Sequence, residues 1–233
     1  MKILGIDTAT SCCSIGLIDD DRVIAESLLD VPVTHSERLL TSLEQVLREG
    51  RCAVEDLDGW AVSIGPGSFT GLRIGVSTVK GLAFATQKPV SGVSTLDVLA
   101  SQIHPTPTLI CPILDARKGE VYAAFYRYGE EEFPKRRCDY QALRPEDLVR
   151  AIGEKTIFIG DGVRRYGDFL SQSLSSLAVF PADPFFHIPH GSVLAKRGLE
   201  LIQNRSTLDL STFTPLYVRP SEAEMKWQES REL

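Results

Sequence analysis

Several features that would settle the class of this chain at once are missing from it. No uninterrupted apolar run approaches the ~20 residues that cross a bilayer. The opening Met1-Lys2-Ile3-Leu4-Gly5-Ile6 is cut at once by Asp7, too short for the core of a signal peptide. Both observations point to a cytoplasmic chain with no membrane partner. Basic charge is in deficit, with 25 Lys plus Arg against 31 Asp plus Glu and a net charge of −6, which argues against a surface that grips nucleic acid by neutralising its phosphates. The deficit is uneven: residues 1–105 hold 8 basic and 13 acidic side chains, residues 106–233 hold 17 and 18. Cysteine is sparse and unpaired. Cys12, Cys13, Cys52, Cys111 and Cys138 form an odd set without a C-x-x-C pair, which fits neither a disulfide framework nor a zinc site. Cys12 and Cys13 are adjacent in an expected strand and point to opposite faces, so the set reads as reduced, space-filling thiols.

What is present is an ordinary globular composition, 43% apolar and 24% charged over 233 residues, enough for one large or two small domains with a real core. Residues 2–7, 12–19 and 22–29 read as a β-meander with an acidic turn at Asp19-Asp20-Asp21. Thr34 can cap a helix over 35–48, in which Leu39, Leu40, Leu43, Val46 and Leu47 recur at helical spacing up to Gly50. A buried strand over 57–64, a glycine-rich turn, a helix over 71–86 and another from about Thr95 follow. His104-Pro105-Thr106-Pro107 breaks both helix and sheet, and the pattern then restarts. Residues 108–115 and 120–128 form a hairpin around Ala116-Arg117-Lys118-Gly119, Pro145 opens a short helix, and a strand over 156–160 enters Asp161-Gly162. Residues 192–203 give an amphipathic helix capped by Ser192. The expected class is α/β, a mixed sheet flanked by helices in each of two lobes, 1–105 and 106–233.

Each half delivers an Asp into a tight turn, Asp7-Thr8-Ala9-Thr10-Ser11 and Asp115-Ala116-Arg117-Lys118-Gly119. Such a turn aims backbone amides at a phosphate while the carboxylate holds hydrated magnesium, or it merely ends a strand. With Gly160-Asp161-Gly162 the set resembles the two phosphate turns and the adenosine turn of the actin, Hsp70 and sugar-kinase superfamily of ATP-binding proteins, although Ala9 stands where a glycine usually lets phosphates approach. A second local signal is Gly65-Pro66-Gly67-Ser68-Phe69-Thr70-Gly71-Leu72-Arg73-Ile74-Gly75. Ser68 or Thr70 can cap the helix that starts there, and its free amides can meet an anion. It has neither the Gly-Lys-Ser/Thr ending of a P-loop nor a G-x-S-x-G elbow.

That undecapeptide, the opening ILGIDTAT, the segment VSTLDVLA and LDARKGEVYAAFY together resemble the TsaB family of bacterial tRNA threonylcarbamoyladenosine biosynthesis proteins, formerly grouped with the glycoproteases. The resemblance is dense over residues 1–128 and loose beyond. It implies a degenerate two-lobed actin-like ATPase fold and a non-catalytic subunit. Such a subunit works with the catalytic paralogue TsaD and the ATPase TsaE to place a threonylcarbamoyl group on the adenosine beside the anticodon of ANN-decoding tRNAs, the tRNA being reached through the complex. The paralogue's metal pair is H-x-x-x-H; here His35 is followed four residues later by Leu39, so no catalytic or metal residue is expected. His187 and His190 flank Pro189 with no carboxylate nearby in the sequence, and His104 is expected to face solvent. Asp7, Thr8, Thr10, Asp115 and Gly160 are the candidates for weak ATP or ADP binding, with no cofactor required.

The resemblance also implies that the helices over 35–48 and 71–86 pack against the equivalent pair of the paralogue, or against a second copy in a homodimer. The expected partner face comprises His35, Leu39, Leu43, Val46, Gly71, Gly75, Val79 and Leu82, two glycines one turn apart permitting close approach. Burial within the chain is the competing account of the same face. An autonomous actin-fold ATPase or kinase, with Asp7 and Asp115 placing magnesium and phosphate, and a metalloprotease are the rival functions. The run from Pro215 to Leu233 thins in apolar residues and is expected to be loose or to order on a partner.

Overall fold

A computed structural model describes residues 1–31 and 35–219. The expected cap at Thr34 and the tail from residue 220 lie outside the described residues. The first half builds β1 (Lys2–Asp7), β2 (Cys13–Asp19), β3 (Arg22–Leu29), α1 (His35–Glu49), β4 (Gly59–Gly65), α2 (Phe69–Thr86), β5 (Val90–Ser94) and α3 (Thr95–Ser101). The second builds β6 (Leu109–Arg117), β7 (Glu120–Ala123), β8 (Tyr126–Arg127), β9 (Lys135–Arg136), β10 (Gln141–Leu143), α4 (Pro145–Ala151), β11 (Thr156–Ile159), α5 (Gly162–Leu174), β12 (Ala178–Val179) and α6 (Gly191–Gln203). Strands order as β3-β2-β1-β4-β5 in one sheet and β10-β7-β6-β11-β12 in the other, with β8 added on β6 and β9 on β8. The meander is antiparallel, and β4 and β5 join it in parallel. Among the described residues no helix is long and apolar enough to cross a membrane.

The first sheet is a filling between two helical layers. On one face Leu4, Ile6 and Trp60 pack against Leu39, Leu43 and Val46 of α1 and Val76, Val79 and Ala83 of α2. Trp60 is fully buried, and its indole N–H donates to the Thr86 hydroxyl at the end of α2. On the other face Ile3, Ile18, Ala61 and Val93 meet Leu194 and Ala195 of α6. α6, which lies within the expected lobe of residues 106–233, thus crosses back to cover the first sheet. Its approach is backbone to backbone: a Cβ at Gly16 would sit 2.1 Å from the Ser192 nitrogen, and one at Gly5 2.3 Å from the Gly191 carbonyl oxygen. The second sheet likewise has α3 on one face and α4 and α5 on the other. Asp97 of α3 fastens it by accepting the hydroxyls of Tyr126 and Tyr140 at 2.6 and 3.0 Å.

Two expectations at the junction need correction. Ser192 does not cap α6; the cap position is His190, and Ser192 lies in the first turn with its amide donating to Glu26 Oε1 at 2.8 Å. His190 does have a carboxylate beside it, since Nδ1 stands 3.0 Å from Glu26 Oε2, a partner 164 residues away in sequence. Its ring is buried and lies 3.7 Å from the ring centre of Phe185. His104 is exposed, as expected. β5 and α5 escape the sequence pattern: β5 is small and interrupted by Gly92, and α5 buries only Gly162, Leu170 and Leu174. The thiols of Cys12, Cys13, Cys52 and Cys111 are buried and free, and burial pushes those of Cys12 and Cys13 up to about 12 and about 11, which leaves them protonated and unreactive.

Glu26 is the anion at the α6 N-terminus, where aligned amides favour negative charge. Burial alone would raise its pKa, but the bonds from His190 and Ser192 hold it below the usual glutamate value. A depressed carboxyl adds stability above its unfolded pKa and loses it as pH falls through the folded one. Glu26→Gln should therefore cost about 2 kcal/mol at pH 7, typical of a charged hydrogen bond. Urea denaturation at a series of pH values should show that difference shrinking in acid; a pH-independent loss would assign the effect to packing.

Candidate functional site

Asp7 and Asp161, one from each half of the chain, lie close enough for their carboxylates to interact. Asp7, at the end of β1, is completely buried. Its Oδ1 accepts the Ala9 amide at 2.9 Å, while Oδ2 is buried without a hydrogen-bond partner. Burial is the main reason its pKa rises to about 6, and the Asp161 carboxylate pushes the same way. Asp161, from the other lobe, is also raised, first by burial and then by neighbouring Asp115, against the amide of Asp115 that donates to its Oδ1 at 3.0 Å. Asp115 is neutralised locally. Its Oδ1 accepts the Arg117 amide at 2.9 Å, and its Oδ2 lies 3.1 Å from Arg165 and 3.6 Å from Arg117.

The remaining candidate positions for a nucleotide are occupied by the protein. Thr8 donates its hydroxyl to the Gly71 carbonyl at 2.8 Å. The Thr10 hydroxyl accepts the Cys12 amide at 3.2 Å, and the Thr10 carbonyl lies 2.8 Å from His35 Nε2. The Ala9 carbonyl accepts the Ser68 amide at 2.7 Å. Gly160, at φ 94°, gives its amide to the Phe186 carbonyl, and a Cβ there would lie 2.4 Å from the Ile113 oxygen; close packing on β6 explains this glycine without a ligand. Of the five residues only Asp7 has a side-chain oxygen left buried without a hydrogen-bond partner. Among the described residues no group of three or more His, Cys, Asp or Glu could hold a metal ion.

The helix pair is the second place where the sequence put function. Ser68 caps α2, accepting the Gly71 amide at 3.2 Å. Gly71 and Gly75 do mark a close approach, but to this chain's own first turn: Cβ atoms there would sit 2.0 Å from the Thr8 carbonyl oxygen and 2.3 Å from Thr8 Oγ1. Leu39, Leu43, Val46 and Val79 are between 0% and 6% exposed, in the core described above. Leu82 is half-buried against that core, and His35 is tied to Thr10. Most of these eight residues are thus packed inside the molecule; the open face lies one position round the helices, and of the eight only Leu39 also lines it. There α1 and α2 flank a depression of about 540 Å³ lined by Leu40, Phe69, Arg73, Ile74, Ser77 and Thr78, among others. Leu40 is 60% exposed, and Phe84, further along α2, 73%. Leu40 was legible in the sequence only as one more apolar position of the stripe.

Comparison with known proteins decides the family. A family described as "TsaD: tRNA N6-adenosine threonylcarbamoyltransferase" matches residues 31–227. The tRNA threonylcarbamoyladenosine biosynthesis protein TsaB of Bacillus subtilis is 33% identical, across 99% of this chain and all of that protein. The chain belongs to the TsaB family. The TsaB protein of Escherichia coli is 29% identical over 96% of both chains. The solved structure of YeaZ from Pseudomonas aeruginosa superposes with a TM-score of 0.79 at 27% identity, covering 93% of this chain and 99% of that one. An activator of 2-hydroxyisocaproyl-CoA dehydratase from Clostridium difficile, solved with bound ADPNP, reaches 0.55 at 10% identity over 88% and 97% of the two chains, which shows the actin-like ATPase fold.

A carboxyl held protonated up to about pH 6 lowers stability as pH rises past its unfolded value of 3.8. Asp7→Asn keeps the acceptor for Ala9 and removes the buried charge. It should stabilise the protein at pH 8 by up to about 3 kcal/mol and leave it unchanged at pH 4, read as thermal midpoints at the two pH values. An equal gain at both would refute the buried-charge account.

Proposed function

We propose that this TsaB-family chain is a non-catalytic subunit in the formation of threonylcarbamoyladenosine in tRNA, supporting a catalytic paralogue of the TsaD type by docking through the α1–α2 groove. The supporting observation is the groove itself: an apolar strip containing Leu40 at 60% exposure, open on an otherwise acidic chain, as expected of a protein-binding patch. A second copy would use the same face in a homodimer, and TsaE is the further partner that the family suggests. The tRNA is held by the assembly, because a chain at −6 lacks the phosphate-neutralising surface for the task. A cytoplasmic location fits this reading.

The catalytic role is assigned elsewhere because no second imidazole accompanies His35. The position four residues on is the buried Leu39, and His35 Nε2 is engaged by the Thr10 carbonyl. The rival reading, an autonomous ATPase or kinase, draws on the unpartnered Asp7 oxygen. Calorimetry with Mg-ATP separates the two: the subunit reading expects no tight binding by the isolated chain, and tight binding lost in Asp7→Ala would establish the rival. A metalloprotease would require a metal site or an activated nucleophile, and neither is offered as part of this function.

The burial pattern sets the choice of variants. Leu40→Asp should weaken association with the TsaD paralogue by roughly 30- to 100-fold, the worth of one well-buried leucine at an interface, while leaving the thermal midpoint in place. Leu43→Asp, by contrast, puts a charge in the core and should unfold the chain. Titration calorimetry and circular dichroism read the two effects, and undiminished affinity of Leu40→Asp would move the docking surface elsewhere. Reconstituted tRNA threonylcarbamoylation should fail when this subunit is omitted and return when it is restored; full activity without it would end the subunit reading.

A further inference from the structure

The end of the described chain crosses from one lobe to the other, and it touches the two places singled out above. The Leu216 amide donates to the Ile64 carbonyl at 2.7 Å, which lays the strap on β4 beside the glycine-rich loop. The next residue, Tyr217, stacks its ring on Phe69 with centroids 4.9 Å apart, and its hydroxyl accepts from Arg73 Nε at 3.2 Å. The Arg73 guanidinium covers the same Phe69 ring at 4.0 Å. Phe69 and Arg73 also line the α1–α2 groove. Two residues later the strap reaches the second lobe. Arg219 pairs with Glu120 Oε2 at 2.7 Å and donates to the Ala116 carbonyl at 3.3 Å.

Those two acceptors bracket the tightest turn of the second sheet. Arg117, Lys118 and Gly119 follow one another at φ 62°, 52° and 80°, so two residues bearing a Cβ sit in the left-handed region, which is strained for them. The β6–β7 pairing is irregular between Asp115 and Arg117. A strained turn persists where its surroundings hold it, and here the holders are the Asp115 carboxylate, on the Arg117 amide, and Arg219 from the strap. Asp115 in turn gives its own amide to Asp161, so the turn and Asp161 are one hydrogen-bonded unit.

We infer that the strap of residues 216–219 is a mechanical relay. It reports the state of the α1–α2 groove to the β6–β7 turn, and so to Asp161. A body seated in the groove against Phe69 and Arg73 competes for the surfaces that hold Tyr217; the strap then shifts, Arg219 loses its seat, and the strained turn relaxes. What fills the groove rests on the function proposed above. The coupling does not, and it is tested in the full-length chain alone.

Hydrogen exchange read by mass spectrometry on residues 115–120 is the measurement. Tyr217→Ala should raise exchange there about tenfold, although Tyr217 is an α2-side contact and Arg219 and Glu120 are intact; Arg219→Ala should do the same. Arg219→Glu combined with Glu120→Arg should restore protection. Peptides of β1 and β2 should be unaffected in every variant. A rise with Arg219→Ala but not with Tyr217→Ala overturns the relay, since the turn is then held locally. No rise in either variant, or a rise that spreads to β1 and β2, overturns it as well.

Discussion

A helix backbone laid directly on a sheet backbone is the contact on which the rest of this fold depends. α6 reaches β1 and β2 only because Gly5, Gly16 and Gly191 carry no side chain where the chains meet, and at that distance a single methyl group has no room. The approach delivers the α6 N-terminus to Glu26, which takes the Ser192 amide and the His190 imidazole together. It also seals Ile3, Ile18 and Val93, the face of the first sheet that α1 and α2 leave open. Because α6 belongs by sequence to the second half, the same contact packs the two halves of the chain together.

Much of this was written locally. The meander, the leucine spacing of α1, the cap at Ser68 and the start of α3 at Thr95 all follow from short-range rules, because the residues that decide them lie within a turn or two of one another. What was not legible depended on distance along the chain. Gly71 and Gly75 announce a close approach one turn apart, but not whether the approaching group is a foreign helix or Thr8, 63 residues upstream of Gly71 by its hydrogen bond. The same limit hid the Glu26 partner of His190. α5 was missed for a different reason: its exposed face is so polar that only Leu170 and Leu174 mark the buried side beyond Gly162. At the site, β1 ends on Asp7 as expected, whereas β6 runs past Asp115 to Arg117, so the second Asp lies in the strand before the turn.

Asp7 stands apart among these residues. A fully buried carboxyl with an orphan oxygen lowers stability, and structural ion pairs elsewhere in this chain are arranged to avoid that cost; Asp115, for instance, has Arg165 beside it. Buried groups with displaced pKa values cluster where chemistry or binding needs them. Around that carboxyl the Thr8 and Thr10 hydroxyls and the Ala9 carbonyl are engaged by the protein itself.

The return of α6 also sets the order in which the molecule can be made. A ribosome releases β1 to β5 with one face of the sheet bare, and the helix that covers it lies about a hundred residues further on, which at ordinary rates of synthesis means an interval on the order of 5–20 s. During that interval Ile3, Ile18 and Val93 present a sticky surface, and β3 remains an open edge. Removal of α6 would leave that face of the first sheet without its second wall.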